Sequence, residues 1–379
     1  MDVESRLKLI KRLPTEEILV EDELVQMLET GVPIKHYIGF EISGLVHIGS
    51  GLVCTSKIAD FQKAGVDVEI FLADWHAWIN NKLGGDLEFI NEVGHLYFKQ
   101  MLLAGLKSMG GDPDKVRVVY GTELYHNNDE YWQIMIDVAK NMTLARAKRS
   151  ITILGRQSAE EGIPLAHLIY PAMQVADIYS QRVNLAHAGT DQRKAHVVAR
   201  DVGKKLKYNP LEWNGEKHKP VAIHHHVVLG LQQPAVWPIP PDMDRKELMA
   251  SNKMSKSIPG SAIFIHDPPE VIRKKIRKGF CPAKITDYNP VLDWAKHIIF
   301  RGGEVELNIS RPAKFGGDIT YYRYEDLEKD FAEGKLHPMD LKNGIAEKLI
   351  EILEPARKIF ESDRKIQEIA ERISKSITR

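Results

Sequence analysis

Cysteine is scarce in this chain. Only Cys54 and Cys281 occur in 379 residues, too few and too far apart for a disulfide framework or a cysteine zinc cluster; a reducing cytoplasmic setting is expected. Charge of one sign is not in excess either. Lys plus Arg equals Asp plus Glu at 52 each, which excludes a uniformly basic nucleic-acid coat and leaves room only for local basic patches. No apolar run is long enough to span a bilayer, no tract is of low complexity, and the opening residues do not read as a signal peptide, so no membrane partner is expected. Two common nucleotide-binding fingerprints are also missing. Gly49-Ser50-Gly51 meets Cys54 where a dinucleotide motif needs its third glycine, and Gly44 and Gly49 have P-loop spacing but lack the Lys and Ser or Thr that must follow.

What remains is an ordinary composition, 43% hydrophobic and 27% charged, long enough for two or three domains. The most informative stretch runs from Tyr37 to Gly51. Alternation over 35–41 predicts a strand with Tyr37, Gly39 and Glu41 on one face and Ile38 and Phe40 on the other. Ser43, Gly44 and Gly49 interrupt it before an apolar-periodic helix over 52–61. A strand end, a glycine turn and a helix N-terminus form a natural anion site, because the first helical N–H groups lack partners.

The rest of the chain alternates strand and helix. Residues 1–30 read as one or two amphipathic helices. Strands are expected over 66–74, 116–121, 183–187 and 221–228, with helices over 87–109, 131–149 and 192–206. Alternation of this kind predicts an α/β fold, a Rossmann-type parallel sheet with right-handed crossovers. Asp74-Trp75-His76 follows one strand end, where such sheets bind ligands. Pro171 is expected in the first turn of a helix that carries Tyr170, Gln174 and Asp177 on one face. Further on, Asp267 to Glu270 reads as a capped helix start leading into five basic residues within 273–278. Helices over 338–353 and 355–373 would then complete an α-helical second domain. His224-His225-His226 is not expected to chelate, since consecutive strand residues point to opposite faces. Trp75, Trp78, Tyr131 and Trp132 read as core or dimer interface.

His47-Ile48-Gly49-Ser50 resembles the first ATP motif of class I aminoacyl-tRNA synthetases, His-Ile-Gly-His, with Ser50 in place of its last histidine. Lys253-Met254-Ser255-Lys256-Ser257 matches the second motif without a mismatch. The stretches at 37–44, 169–177, 191–196, 315–318 and 337–342 extend the resemblance over nearly the whole chain, to the archaeal and eukaryotic type of tyrosyl-tRNA synthetase. That resemblance implies a Rossmann-type catalytic domain over 1–262, including the 253–257 loop, and a C-terminal α-helical anticodon-binding domain over 263–379. It also implies a homodimer, with L-tyrosine, ATP with Mg2+, and tRNA(Tyr) as substrates, and no structural metal.

By the same similarity, Tyr37 and Asp177 contact the tyrosine phenol. Tyr170, Gln174 and Gln192 hold the ammonium, and Ala73 and His76 complete the amino-acid pocket. Gly39, Glu41, Gly44, His47, Gly49, Ser50 and the loop residues Lys253, Met254, Ser255, Lys256 and Ser257 bind ATP. His47, Lys253 and Lys256 are the implied catalytic groups, bringing positive charge to the departing pyrophosphate. Arg149, Arg193 and Lys194 face the tRNA acceptor end, while Phe315, His337 and Asp340 read the anticodon. A synthetase-like RNA-binding protein without catalysis, a small-molecule nucleotidyltransferase and a tryptophan-specific variant are the competing readings.

Overall fold

The computed structural model describes residues 1–150, 163–240, 242–243, 248, 252–254 and 259–377. Its strands are β1 (Thr15–Leu19), β2 (His36–Glu41), β3 (Val68–Ala73), β4 (Val116–Tyr120), β5 (Leu185–Gly189), β6 (Leu211–Trp213), β7 (Glu216–His218), β8 (Val221–His225), β9 (Leu307–Ile309) and β10 (Ile319–Tyr321). Six of them form one sheet in the order β1-β8-β5-β2-β3-β4. Every neighbour pair is parallel except β1 with β8. Counted along the chain, the parallel strands lie third, second, first, fourth, fifth, which is the Rossmann arrangement. The chain reverses its winding between β2 and β5, and the ligand crevice of such sheets opens beyond the carboxyl ends of those strands.

Alternation along β2 divides the interior as its residues require. Tyr37 joins a core with Phe71, Ala73, Ala186 and Met173 on one face of the sheet. Ile38 and Phe40 join the other core with Leu52, Ile58 and Phe98, which runs on without a break into Ile272, Leu349 and Leu353 of the C-terminal region. Among the described residues no helix is long and apolar enough to cross a membrane.

Several local expectations change in the folded chain. The first thirty residues hold helices Val3–Lys11 and Glu21–Thr30 with β1 between them, an antiparallel edge strand that the helical spacing concealed. Pro171 lies inside helix Leu165–Ser180 rather than in its first turn, and ten residues of that helix are buried. Their burial outweighs the one backbone hydrogen bond that a proline cannot make. Pro355 is likewise interior to a single helix, Pro338–Ser362, instead of separating two. The helix expected over 131–149 breaks into Asp129–Lys140 and Leu144–Ser150, and the Asn141 side-chain amide donates to the Asp137 carbonyl at 2.9 Å where the first of them ends. Asp267 does not cap helix Pro269–Lys278, whose N-terminus has no side-chain cap. Its carboxylate accepts from the Phe264 N–H at 2.9 Å and the Lys275 ammonium at 2.6 Å. The C-terminal region also contains the two-stranded β9–β10 ribbon beside its helices.

The three consecutive histidines diverge. His224 bonds Glu17 and His196, and His225 bonds His187 and the Cys54 thiol. His226 bonds Glu16 at 2.5 Å and Asp293 at 2.7 Å, clamping β1 and the end of β8 to helix Pro290–Trp294. His226, Asp293 and His297 do place ligand-type atoms within 4.8 Å of one another. The two imidazoles are stacked at 3.8 Å and 13°, with both Nε2 atoms facing Asp293 Oδ1, at 2.7 Å from His226 and 3.8 Å from His297. Burial alone would lower the His226 pKa, but the carboxylates of Asp293 and Glu16 raise it to about 10.

A folded-state pKa above the unfolded value means that this clamp stabilises fully below about pH 6.5 and is lost as pH rises through about 10. His226→Gln is expected to lose about 2 kcal/mol near neutrality, discounted for the half-exposed Glu16. Thermal melts of both proteins across pH should show the deficit closing above pH 10; a deficit independent of pH would reject the clamp.

Candidate active site

Strand β2 brings Tyr37 and Glu41 to the crevice, β3 delivers Ala73 with His76 just beyond, and helix Leu165–Ser180 contributes Tyr170, Gln174 and Asp177. These residues converge. Tyr37 and Asp177 are buried on the same side of the sheet, and the Asp177 charge raises the Tyr37 pKa further after burial has raised it. The His76 and Tyr170 rings meet edge to face at 4.5 Å. Asp177 Oδ1 accepts from the Tyr125 hydroxyl at 2.9 Å and the Tyr131 hydroxyl at 3.1 Å. Among the described residues no hydrogen bond reaches its Oδ2, with His76 Nε2 3.6 Å away. Burial lowers the His76 pKa to about 3, so this contact is not an ion pair. Burial raises the Asp177 pKa to about 8, the two phenol donors working against the rise and the Asp74 charge adding to it.

Not every polar atom here has a partner among the described residues. Gln174 Oε1 is buried without a hydrogen bond. The carboxylate of Glu41 at the mouth is engaged by Asn80 at 2.7 Å and Lys82 at 3.4 Å. Gln192 follows β5 in the turn Thr190–Gln192 and bonds Asp191.

The glycine segment lies at the same end of the sheet. Its helix starts at Gly49 with a π-helical turn, Gly49–Cys54, that continues into Thr55–Lys63. His47 Nδ1 accepts from the Gly49 N–H at 3.0 Å and the Ser50 N–H at 3.4 Å, which puts the ring proton on Nε2. The Ser50 hydroxyl donates to the His47 carbonyl at 3.2 Å. A Cβ on Gly49 would stand 2.8 Å from the His47 ring, so only glycine lets the imidazole lie against the backbone. Gly44 has φ +137, and Gly39 sits exposed in β2 beside the Tyr37 ring.

Two short backbone pairings bring the distant second motif here. The Ile48 N–H donates to the Ile263 carbonyl at 2.9 Å and the Ile265 N–H to the Val46 carbonyl at 3.0 Å. On the other side of the loop, the Met254 N–H donates to the Val228 carbonyl at 3.1 Å. Lys253 thereby reaches Asp191 past the end of β5, its ammonium 2.9 Å from Oδ2. Burial would raise the Asp191 pKa, but the Lys253 charge and bond hold it below the usual carboxylate value. Ser255, Lys256 and Ser257 lie outside the described residues.

The residues expected at RNA are spread along the surface. Arg149 is on helix Leu144–Ser150, and Arg193 and Lys194 open helix Arg193–Gly203. The Arg193 guanidinium is held by Glu17 at 2.8 Å. Phe315 is exposed with the Lys314 ammonium 4.9 Å over its ring. His337 caps helix Pro338–Ser362 through the Met339 N–H, and Asp340 is in its first turn. Arg311 ties these segments together through the Gly317 and Lys335 carbonyls.

Sequence reasoning missed Tyr125, Tyr131 and Asp191 as members of the site. Asp191 carried a signal, its place directly after a predicted strand. Tyr125 and Tyr131 carried none, because Asp177 is 52 and 46 residues away from them.

A Rossmann sheet with a glycine-lined histidine at one strand end and a lysine loop paired beside it defines a class I aminoacyl-tRNA synthetase. The family description "tRNA synthetases class I (W and Y)" matches residues 29–354. The chain is 62% identical to the tyrosine–tRNA ligase of Thermococcus kodakarensis over 361 residues, 95% of this chain and 96% of that protein. The crystal structure of the Pyrococcus horikoshii tyrosyl-tRNA synthetase complexed with L-tyrosine superposes with a TM-score of 0.95 at 57% identity, covering 98% of this chain and all of that one. The Aeropyrum pernix tyrosyl-tRNA synthetase gives 0.82 at 40% identity, covering 99% of this chain and 100% of that one. An Aeropyrum pernix tryptophanyl-tRNA synthetase, at 17% identity and a TM-score of 0.64, shares the fold. The chain belongs to the tyrosine–tRNA ligase family.

Because the Asp177 pKa is raised from about 4 to about 8, the stability linked to this residue is complete below pH 4 and is lost as pH rises through 8. Asp177→Asn is therefore expected to unfold at a higher temperature than the parent at pH 9, with the advantage shrinking toward pH 4. Calorimetry at the two pH values checks the sign.

Proposed function

We infer that this chain is a tyrosine–tRNA ligase, activating tyrosine with ATP and passing the tyrosyl group to the 3′ end of tRNA(Tyr). The observation that carries this reading is the set of acceptors in the cavity. Among the described residues no hydrogen bond reaches Asp177 Oδ2, and Gln174 Oε1 is buried without one. A substrate bearing a phenol at one end and an ammonium at the other supplies both missing donors. Phenylalanine would leave Asp177 Oδ2 and the buried Tyr37 hydroxyl without that partner, and the lost desolvation energy rejects it. Tryptophan carries a single indole donor and no hydroxyl, so Tyr37 has nothing to donate to.

In the first step the tyrosine carboxylate attacks the α-phosphorus of ATP. The bond to the β-phosphate breaks, leaving tyrosyl-adenylate and pyrophosphate. In the second, a hydroxyl of the terminal tRNA ribose attacks the tyrosyl carbonyl and AMP departs. No enzyme nucleophile is required, so catalysis rests on positioning and charge. Tyr170, Gln174 and Gln192 hold the ammonium, Ala73 and His76 shape the pocket, and Gly39, Glu41 and Gly44 border the nucleotide. His47 Nε2–H donates to phosphate oxygen, and Gly49 gives the nucleotide access to the backbone. Lys253, Met254, Ser255, Lys256 and Ser257 form the second jaw, its lysines neutralising charge on the departing pyrophosphate while Mg2+ accompanies ATP. Ser50 replaces the usual second histidine, and its hydroxyl stiffens the turn through the His47 carbonyl.

We further assign residues 1–262 to catalysis and 263–379 to the anticodon. Arg149, Arg193 and Lys194 approach the acceptor end, and Phe315, His337 and Asp340 the anticodon bases. Lys274, Arg277 and Lys278 stand exposed on helix Pro269–Lys278, whereas Arg273 and Lys275 are paired with Glu347 and Asp267. The exposed three suit RNA phosphates. Trp78, Leu144, Leu165 and Ile169 are large exposed apolar side chains around helix Leu165–Ser180, and a second copy of the chain in a cytoplasmic homodimer would cover them.

Tyrosine-dependent exchange between ATP and pyrophosphate tests the activity, and absence of exchange with any amino acid would refute it. Gly49→Ala should reduce that exchange by about tenfold or more at unchanged tyrosine affinity, since the new Cβ displaces His47 from its amides. Neutralising Lys274, Arg277 and Lys278 together should lower the salt dependence of tRNA binding, read as the slope of log affinity against log salt. An unchanged slope would remove that surface from the RNA path.

A further inference from the structure

The carboxylate of Asp177 is surrounded by phenols from four separate elements. Tyr37 comes from β2, Tyr170 from its own helix, Tyr125 from helix Gly121–Tyr125 and Tyr131 from helix Asp129–Lys140. Among the described residues only Tyr125 and Tyr131 donate to it, and both donate to the same oxygen. They are fully enclosed and packed on each other with ring centroids 4.4 Å apart. The backbone of each is also held. The Tyr125 carbonyl accepts from the Trp132 indole at 3.3 Å, and the Tyr131 N–H is capped by Asn128 at 3.1 Å. The Tyr125 hydroxyl stands nearer to Asp177 than to His76 Nδ1, which is 3.5 Å away.

A carboxylate has two equivalent oxygens and a soft terminal torsion. To read one hydroxyl with high discrimination, a site must present one of those oxygens at a fixed place and keep the other occupied. We propose that Tyr125 and Tyr131 are positioning residues that consume Asp177 Oδ1 and lock the carboxylate, so that Oδ2 of the ionised group is the single acceptor offered to the substrate phenol. This rests on the reading above, in which Asp177 receives that phenol, and extends it to two residues that touch no substrate.

The arrangement also governs ionisation. The titratable groups facing Asp177 are Asp74 and His76 beyond β3, Tyr37, Tyr170, Tyr125 and Tyr131. His76 is neutral and Asp74 repels, so the two phenol bonds are the described interactions that favour the charged carboxylate. Removing them should move its titration upward.

Phenylalanine preserves the ring packing, so Tyr125→Phe, Tyr131→Phe and the double variant are expected to fold. Tyrosine and ATP dependence of pyrophosphate exchange would be measured for each across pH 6–9.5, alongside Asp177→Asn. The expected result is a rise of about tenfold in the KM for tyrosine in the double variant, an unchanged KM for ATP, and weaker rejection of phenylalanine. The pH at which tyrosine binding becomes optimal should also move up. If Asp177→Asn loses rejection of phenylalanine while the double variant keeps the parent KM and pH profile, the positioning role is overturned and the parent reading stands. A lowered melting temperature with those two readouts unmoved, or equal rises in the KM for tyrosine and ATP, would likewise reduce both tyrosines to packing. If Asp177→Asn itself rejects phenylalanine as before, the underlying reading fails, and this proposal with it.

Discussion

A carboxylate buried beneath the sheet, held on one oxygen by two phenols, is the interaction on which the proposed amino-acid half of the crevice depends. Left alone, a carboxyl so deeply enclosed would keep its proton, and burial does carry the Asp177 pKa up to about 8. The hydroxyls of Tyr125 and Tyr131 oppose that rise and fix the orientation. Helix Leu165–Ser180, the two helices after β4 and the strand bearing Tyr37 must all be in place for this geometry to exist. The apolar core shared by these elements therefore supports the proposed specificity as well as stability. The linkage has a cost, since an ionised Asp177 works against folding at alkaline pH, as sites built for function commonly do.

The nucleotide half is assembled by a different device. His47 is pinned to its own backbone through Gly49 and Ser50, while the lysine loop is anchored at both ends by pairing with central segments. On one side Ile263 and Ile265 pair with Val46 and Ile48; on the other, Met254 pairs with Val228. The two motifs proposed to hold ATP, some two hundred residues apart in the chain, thus share a frame of only a few hydrogen bonds. The His226 clamp braces the same strand end from below, tying it to Glu16 and Asp293, while the second Asp293 oxygen accepts the Leu229 N–H at 2.9 Å. Charge inside the fold is placed where chain segments meet.

Errors in the reading of local structure share one physical cause. Pro171 and Pro355 looked like helix boundaries because proline lacks an N–H, yet both sit within helices whose buried faces outweigh a missing bond. Strand β1 was hidden by helical spacing on either side and exists only because β8 offers it an edge. Asp267 resembled a cap by position but is drawn to Lys275 and the Phe264 amide. In each case a contact made in three dimensions overrode a local preference worth about 1 kcal/mol or a few.

The sequence by itself determined the sheet's strands from β2 onward to within a few residues, the division of β2 into two faces, and the one-faced display of Tyr170, Gln174 and Asp177. Periodicity and spacing are local properties, and neighbouring residues alone suffice to set them. Motif order further indicated the family. Only the tertiary structure decided that Tyr125 and Tyr131 take one oxygen of Asp177, that Lys253 lies on Asp191, and that His226 belongs with Glu16 and Asp293. Those partners come from segments dozens to hundreds of residues apart. Their meeting depends on how helices pack across the sheet, which no pattern of adjacent residues encodes.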